Sequence, residues 1–169
     1  AIIGLLYVGL LEDTLQTILA IGITLLVGAT IVYTSRIGKE NTNTITITTA
    51  LIVGATQGLA IFPGLSRSGI TMSTALLLGL KREKAFKFSF LISIPAIIGD
   101  LAVEAYKQRG QLIAQGIGST ELLIGVAIAM IAGYIAIRLV SKTVKSKKLH
   151  YFAIYTWLLG TALIALTLS

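Results

Sequence analysis

The sequence contains no cysteine, which excludes disulfides and thiolate metal sites. Charge is also scarce. Only 12% of the 169 residues are charged, about half the ~25% expected of a soluble domain. The single histidine, His150, sits in a basic loop and is not read as a catalyst. There are two prolines, Pro63 and Pro95, both inside apolar surroundings.

What remains is strongly apolar. Hydrophobic residues make up 55% of the chain and mean hydropathy is +0.90, the composition of an integral membrane protein. The net charge of +7 does not indicate nucleic acid. Its bases fall in short loops between apolar runs, where the positive-inside rule accounts for them. The run Ala1 to Leu11 is too short to span, and no basic n-region or cleavage site accompanies it. The expectation is a chain that starts inside a helix: one membrane domain, 1–169, from a longer protein.

Apolar spans are expected at Thr14–Tyr33, Ala85–Ala105, Glu121–Leu139 and Tyr151–Leu168. Glu12 and Asp13 suit a helix N-terminus. Pro95 should bend its helix and free a carbonyl. Lys107–Thr120 and Ser141–Lys148 read as loops. Tyr151, Tyr155 and Trp157 suit an interface. The alternation in Asn41–Thr49 resembles a strand, but an isolated strand in a bilayer leaves its backbone unpaired, so a threonine-capped helix start is preferred. Two short segments follow, about Thr46–Phe62 and Arg67–Leu80. At 1.5 Å per residue they reach roughly 25 and 21 Å, less than the ~30 Å of hydrocarbon. The expected fold is all-α, with about four full transmembrane helices and one re-entrant or broken helix pair. Loops 36–45, 81–87 and 141–149 should share one side, the cytoplasmic one.

Between the short segments stands Phe62-Pro63-Gly64-Leu65-Ser66-Arg67-Ser68-Gly69-Ile70-Thr71. A guanidinium at depth costs about 3 kcal/mol on insertion scales, so it needs a polar cavity or a partner. Its planar fork matches phosphate oxygens. Gly64 and Gly69 permit close backbone approach. Ser66, Ser68 and Thr71 add hydroxyls, and the N-terminus of the second short helix adds free N–H groups and a positive dipole end. Together they read as an anion site, most naturally for phosphate. The bland alternative is a Pro-Gly turn, a Ser66 cap and a snorkelling Arg67. Gln57 either faces the loop or hydrogen-bonds a neighbouring helix. Asp100 and Glu104, four apart, either hold a divalent cation or form a solvated helix end. Glu83 reads as a loop charge, and Lys87 as following the membrane surface.

The segments GATQGLAIFPGLSRSGIT (54–71) and KREKAFKFSFLISIPAIIGD (81–100) resemble the undecaprenyl-diphosphate phosphatase family, the bacitracin-resistance membrane phosphatases. The pattern P-G-x-S-R-S-G-x-T occupies Pro63–Thr71. The basic stretch is Lys81–Lys84, F-S-F-L is Phe88–Leu91, and I-P is Ile94-Pro95. The resemblance implies hydrolysis of a polyprenyl diphosphate to the monophosphate at the outward half of a cell membrane, for lipid-carrier recycling. It implies two inverted repeats, of which this chain carries one and a fraction, and a divalent cation, Mg2+ or Ca2+. It also implies diphosphate binding by Ser66, Arg67, Ser68 and Thr71, with Gly64, Gly69 and Gln57 alongside. Arg67 and Ser66 are the catalytic candidates, and a homodimer stays open. The family's glutamate-rich motif followed by P-I-S-S-S-G-H does not occur in this sequence, so no metal ligand is assigned here and the chain alone should not turn over. Two alternatives remain: a lipid-phosphate flippase or anion carrier using the same loop, and a structural membrane half serving a partner chain.

Overall fold

The structure, a computed structural model, describes residues 18–114 and 119–168. The N-terminal expectations, including Glu12 and Asp13, lie outside the described residues. Among the described residues six helices run in order: α1 (Ile18–Thr34, continued by a 3-10 turn Ser35–Ile37), α2 (Ile47–Leu59), α3 (Arg67–Leu77), α4 (Arg82–Ala114), α5 (Ser119–Lys145) and α6 (Tyr151–Leu168). Three segments are long and apolar enough to cross a membrane: Ile18–Ile37, Arg82–Lys107 and Thr120–Lys145. Two shorter apolar helices, Ile47–Leu59 and Tyr151–Thr167, complete the set.

Several expected boundaries move. The fourth span, α6, is 18 residues long, about 27 Å, just under the ~30 Å of hydrocarbon. So three full spans stand among the described residues where four were expected. The expected loop from Lys107 is helix as far as Ala114, because Lys, Gln, Arg and Ala are good helix formers in or out of a bilayer. α5 likewise runs through Lys142 to Lys145, where cations sit favourably against the negative end of the dipole. The threonine-rich segment behaves as a helix start: Thr46 caps α2 by accepting from the Thr49 N–H at 3.1 Å. Of the apparent strand only an isolated bridge survives, Thr42 beside Leu80.

α3 is the buried centre. Gly69 through Ser73, Ala75 and Leu76 are all buried, packed among α1, α2 and α4. Met72, Leu76 and Leu80 cluster with Ala29, Val53, Ala85 and Val144. The broadest packing is α1 on α6. A Cβ on Gly160 would lie 3.0 Å from the Gly22 carbonyl, and one on Gly22 would lie 3.2 Å from the Gly160 carbonyl. Small residues at such a crossing let membrane helices approach closely.

Loops 38–46, 78–81 and 146–150 gather at one end. Asn41 and Thr42 N–H groups donate to the Gly79 carbonyl at 3.1 and 3.0 Å, and Lys81 N–H donates to Thr42 O at 2.9 Å. Glu40 pairs with the buried Arg82 at 2.8 Å and with Lys147 at 3.5 Å. Glu83 lies in the first turn of α4 rather than in a loop, and pairs with Lys87 at 3.0 Å and Lys145 at 3.8 Å. The three basic loops therefore share one end, as the spacing of the spans required. Burial alone would raise the Glu40 pKa, but the Arg82 hydrogen bond and the Arg82 and Lys147 charges outweigh it and hold it below the ordinary carboxylate value.

Candidate functional site

The turn 60–66 between α2 and α3 rests against the middle of α1. Pro63 provides its carbonyl to the Thr24 hydroxyl, which is also hydrogen-bonded to Ile21 O at 3.0 Å. Gly64 has φ +90°, a conformation that L side chains resist. It also lies so close to α1 that a Cβ would sit 2.5 Å from the Thr24 hydroxyl oxygen and 2.9 Å from Ile21 O. Both constraints select glycine. From Thr24 and Gly28 to Ile37, the basic end of α1, is roughly 14–20 Å along the helix. Counting down α3 from Arg67 to Leu77 gives about 15 Å. Both lengths are about half the ~30 Å of a hydrocarbon core.

Ser66 caps α3. Its Oγ accepts from the Gly69 N–H at 3.2 Å, while its backbone is extended. The capping half of the bland reading is therefore true, and it coexists with an open helix N-terminus. Gly64, Ser66, Ser68 and Gly69 line a cavity of about 280 Å³ that continues to Phe152 and Tyr155 on α6. Val140 of α5 and Leu149 lie at its basic end.

Arg67 does not line that cavity. Its Nη2 donates to Asp100 Oδ2 at 2.9 Å, with side chains 31% and 67% exposed. The loop thus has two working faces, a hydroxyl and glycine face on the cavity and a guanidinium face towards α4. Thr71 joins neither. It is 1% exposed and its hydroxyl donates to Arg67 O at 2.8 Å, bracing the first turn of α3. Gln57 makes the helix–helix bond: Nε2 donates to Ile92 O at 3.0 Å, next to the Leu91 carbonyl that Pro95 cannot serve. Its buried Oε1 has no hydrogen-bond partner among the described residues. α4 is assigned as one helix through Pro95.

Two contributors escaped the sequence reading. Asp100, paired there with Glu104, is the partner of Arg67. The signal was available: α3 and α4 form an antiparallel pair, and helical side chains lean towards the N-terminus, which carries the Arg67 side chain beyond the start of α3 towards the middle of α4, where Asp100 stands. Tyr155, read as an interface aromatic, walls the cavity. His150 packs at the basic end, edge-on to Tyr33 with ring centroids 6.3 Å apart.

Among the described residues no group of three or more His, Asp or Glu side chains comes together, and the Asp100 carboxylate already faces Arg67.

The comparisons with known proteins agree on one family. The family model described as bacitracin resistance protein BacA matches residues 1–162. An undecaprenyl-diphosphatase of Alkaliphilus metalliredigens is 40% identical over 173 residues, covering 99% of this chain and 62% of that protein. One from Korarchaeum cryptofilum is 38% identical, covering 98% and 62%. One from Methanothermobacter thermautotrophicus is 35% identical, covering 98% and 93%. The chain therefore spans under two thirds of the first two relatives and most of the third.

Proposed function

Because this chain belongs to the bacitracin resistance protein BacA family, we propose that it serves the removal of the terminal phosphate from a membrane-borne polyprenyl diphosphate. The observation that carries the reading is the N-terminus of α3, capped by Ser66 and flanked by the Arg67 guanidinium. The relatives matched are undecaprenyl-diphosphatases, and the undecaprenyl lipid is the substrate taken over from them.

In this reading the diphosphate lies across the start of α3. Ser68 and the free N–H groups of the first turn donate to its oxygens. Arg67 takes the terminal phosphate with the donors that Asp100 leaves free, the fork geometry that suits phosphate. In the net reaction a water oxygen bonds to the terminal phosphorus, the P–O–P bond breaks, polyprenyl monophosphate leaves, and the terminal phosphate is released as inorganic phosphate, the water protons passing to the two products and to solvent. Negative charge spreads over the equatorial oxygens at that moment, and fixed donors in a water-poor site stabilise it most. Arg67 and Ser66 are the catalytic candidates, Arg67 through charge and Ser66 through the cap that shapes the turn. Gly64 and Gly69 admit the substrate backbone-close. Thr71 and Gln57 serve from behind, holding the turn and α4 in place.

The finer architecture belongs to the same proposal. α2 and α3 form a re-entrant pair in a multi-pass protein of the cell membrane, with the basic loops on the cytoplasmic side. The chain corresponds to one and a fraction of two inverted repeats, and a homodimer is one way to add the rest. Mg2+ or Ca2+ belongs to the reading as a cofactor, with ligands other than the described residues, and no step is derived through it.

The test is phosphate release from a polyprenyl diphosphate in detergent with Mg2+, with this chain and the full-length Alkaliphilus relative side by side. Pyrophosphate binding to the chain is measured in parallel. Release is expected from the relative and not from the chain. Arg67→Ala in the chain should weaken pyrophosphate binding at least tenfold, on the order of one charge-assisted pair. Unchanged binding in that variant removes Arg67 from the site. A second reading, a flippase, is favoured by the two short helices meeting at the turn 60–66, and it takes over if neither protein releases phosphate.

A further inference from the structure

α5 has a polar face that the proposed phosphatase site does not use. Arg138, Lys142 and Lys145 recur at intervals of four and three residues, so they form one stripe along the helix. With Leu139, Ser141 and Ser146 they line an open groove of about 640 Å³. Arg138 stacks on Tyr134, its guanidinium carbon 5.0 Å from the ring centroid. That contact steadies the planar fork without neutralising it. Among the described residues neither Arg138 nor Lys142 is ion-paired, and Lys145 meets only Glu83, at 3.8 Å. Val140, between them in sequence, lines the cavity of Ser66 and Ser68 instead.

Depth selects the occupant. None of the apolar window of α5 is buried among the described residues, and the groove lies towards the basic end of that window. Lys145 closes the helix at the basic end, and Arg138 lies seven residues further in, about 10 Å. A cation there is level with lipid phosphates rather than with bulk water. The exposed Leu139 offers an apolar wall beside the charges, as a headgroup joined to acyl chains requires.

We propose that the groove of Arg138, Lys142 and Lys145 binds the phosphate of an anionic phospholipid in the leaflet at the basic end. The proposal stands apart from the phosphatase reading, because it uses the opposite face of α5 and a structural lipid rather than a substrate. It is tested on the whole chain in nanodiscs of equimolar phosphatidylglycerol and phosphatidylcholine. Lipids retained on the protein are counted by native mass spectrometry after transfer to detergent. Replacing all three cations by Gln should cut selective phosphatidylglycerol retention on the order of 100-fold, at about fivefold per cation. Arg138→Lys, which keeps charge and loses the stacked fork, should retain an intermediate amount.

A charge-matched control, Lys39, Lys84 and Lys148 each to Gln, lies at the same end and should leave retention unchanged. Equal loss in both triple variants would mean that only net charge matters, and would overturn the site. No loss in the groove variant overturns it as well. Displacement of the lipid by inorganic phosphate would assign the groove to a soluble anion and end the lipid proposal. An unfolding midpoint in detergent equal to the parent's reports that the groove variant remains folded.

Discussion

Arg67 Nη2 and Asp100 Oδ2 lie 2.9 Å apart, joining the start of α3 to a point about 27 Å along α4 from Arg82. The guanidinium is one third exposed and the carboxylate two thirds. An exposed pair of this kind contributes at most about 1 kcal/mol to stability. Its meaning lies in charge: an anion that binds Arg67 meets a carboxylate already there.

Asp100→Asn should therefore change thermal stability in detergent by less than about 1 kcal/mol. Pyrophosphate binding should tighten by at least about fivefold, the Coulomb term of one like charge at ~4 Å in a largely aqueous setting. Weaker binding in calorimetry would instead make Asp100 the group that positions Arg67.

Gly64 and Gly54 make opposite predictions. Gly64→Ala forces a side chain into φ +90° and against Thr24 and Ile21. It should destabilise by about 2 kcal/mol or more. Gly54, inside α2, has nothing within 4 Å of the point where a Cβ would stand. Gly54→Ala should be neutral or gain up to about 1 kcal/mol from helix propensity. Unfolding midpoints of the two variants, read against the parent, check both.

How much of this was legible depends on what each signal measures. The starts of α2 and α3 were readable because Thr46 and Ser66 are residues that satisfy orphan N–H groups. The shared end of the basic loops followed from counting spans. The ends of α4 and α5 were not readable, since hydropathy marks where lipid begins and not where hydrogen bonding stops. The site was legible as a set of residues but not as a geometry. Successive helical residues point about 100° apart, so Ser66, Arg67, Ser68 and Thr71 cannot all face one ligand. Asp100 was missed because acidic spacing on one helix suggested a cation, while its partner came from another.

Glu40→Gln should leave the buried Arg82 without its carboxylate. Removing one member of a buried pair costs about 3–5 kcal/mol, less here because Glu40 keeps 27% exposure, so about 2 kcal/mol is expected. The pH dependence has a definite sign. The folded pKa of Glu40 lies below its ordinary value of 4.5, so its contribution is full above that value and is lost as pH falls through the lower folded one. The stability gap between the parent and Glu40→Gln should stay constant at neutral pH and close only below about pH 4.5. A gap that closes near neutrality would point to a different group.

Ser66 separates capping from anion binding. Ser66→Ala removes the acceptor of the Gly69 N–H and should cost about 1 kcal/mol. Ser66→Asp restores the cap, since aspartate caps as well as serine and favours the positive end of the helix. It also places a fixed negative charge in the cavity that Ser66, Ser68 and Gly69 share. If the start of α3 receives phosphate, the Asp variant should be as stable as the parent and yet bind pyrophosphate at least tenfold more weakly, in line with repulsion between like charges a few ångströms apart. The Ala variant should show the reverse balance, less stable and only modestly weaker in binding. Parent-like binding in Ser66→Asp would mean that the anion is held by Arg67 on the α4 side alone, and that the cavity has another use.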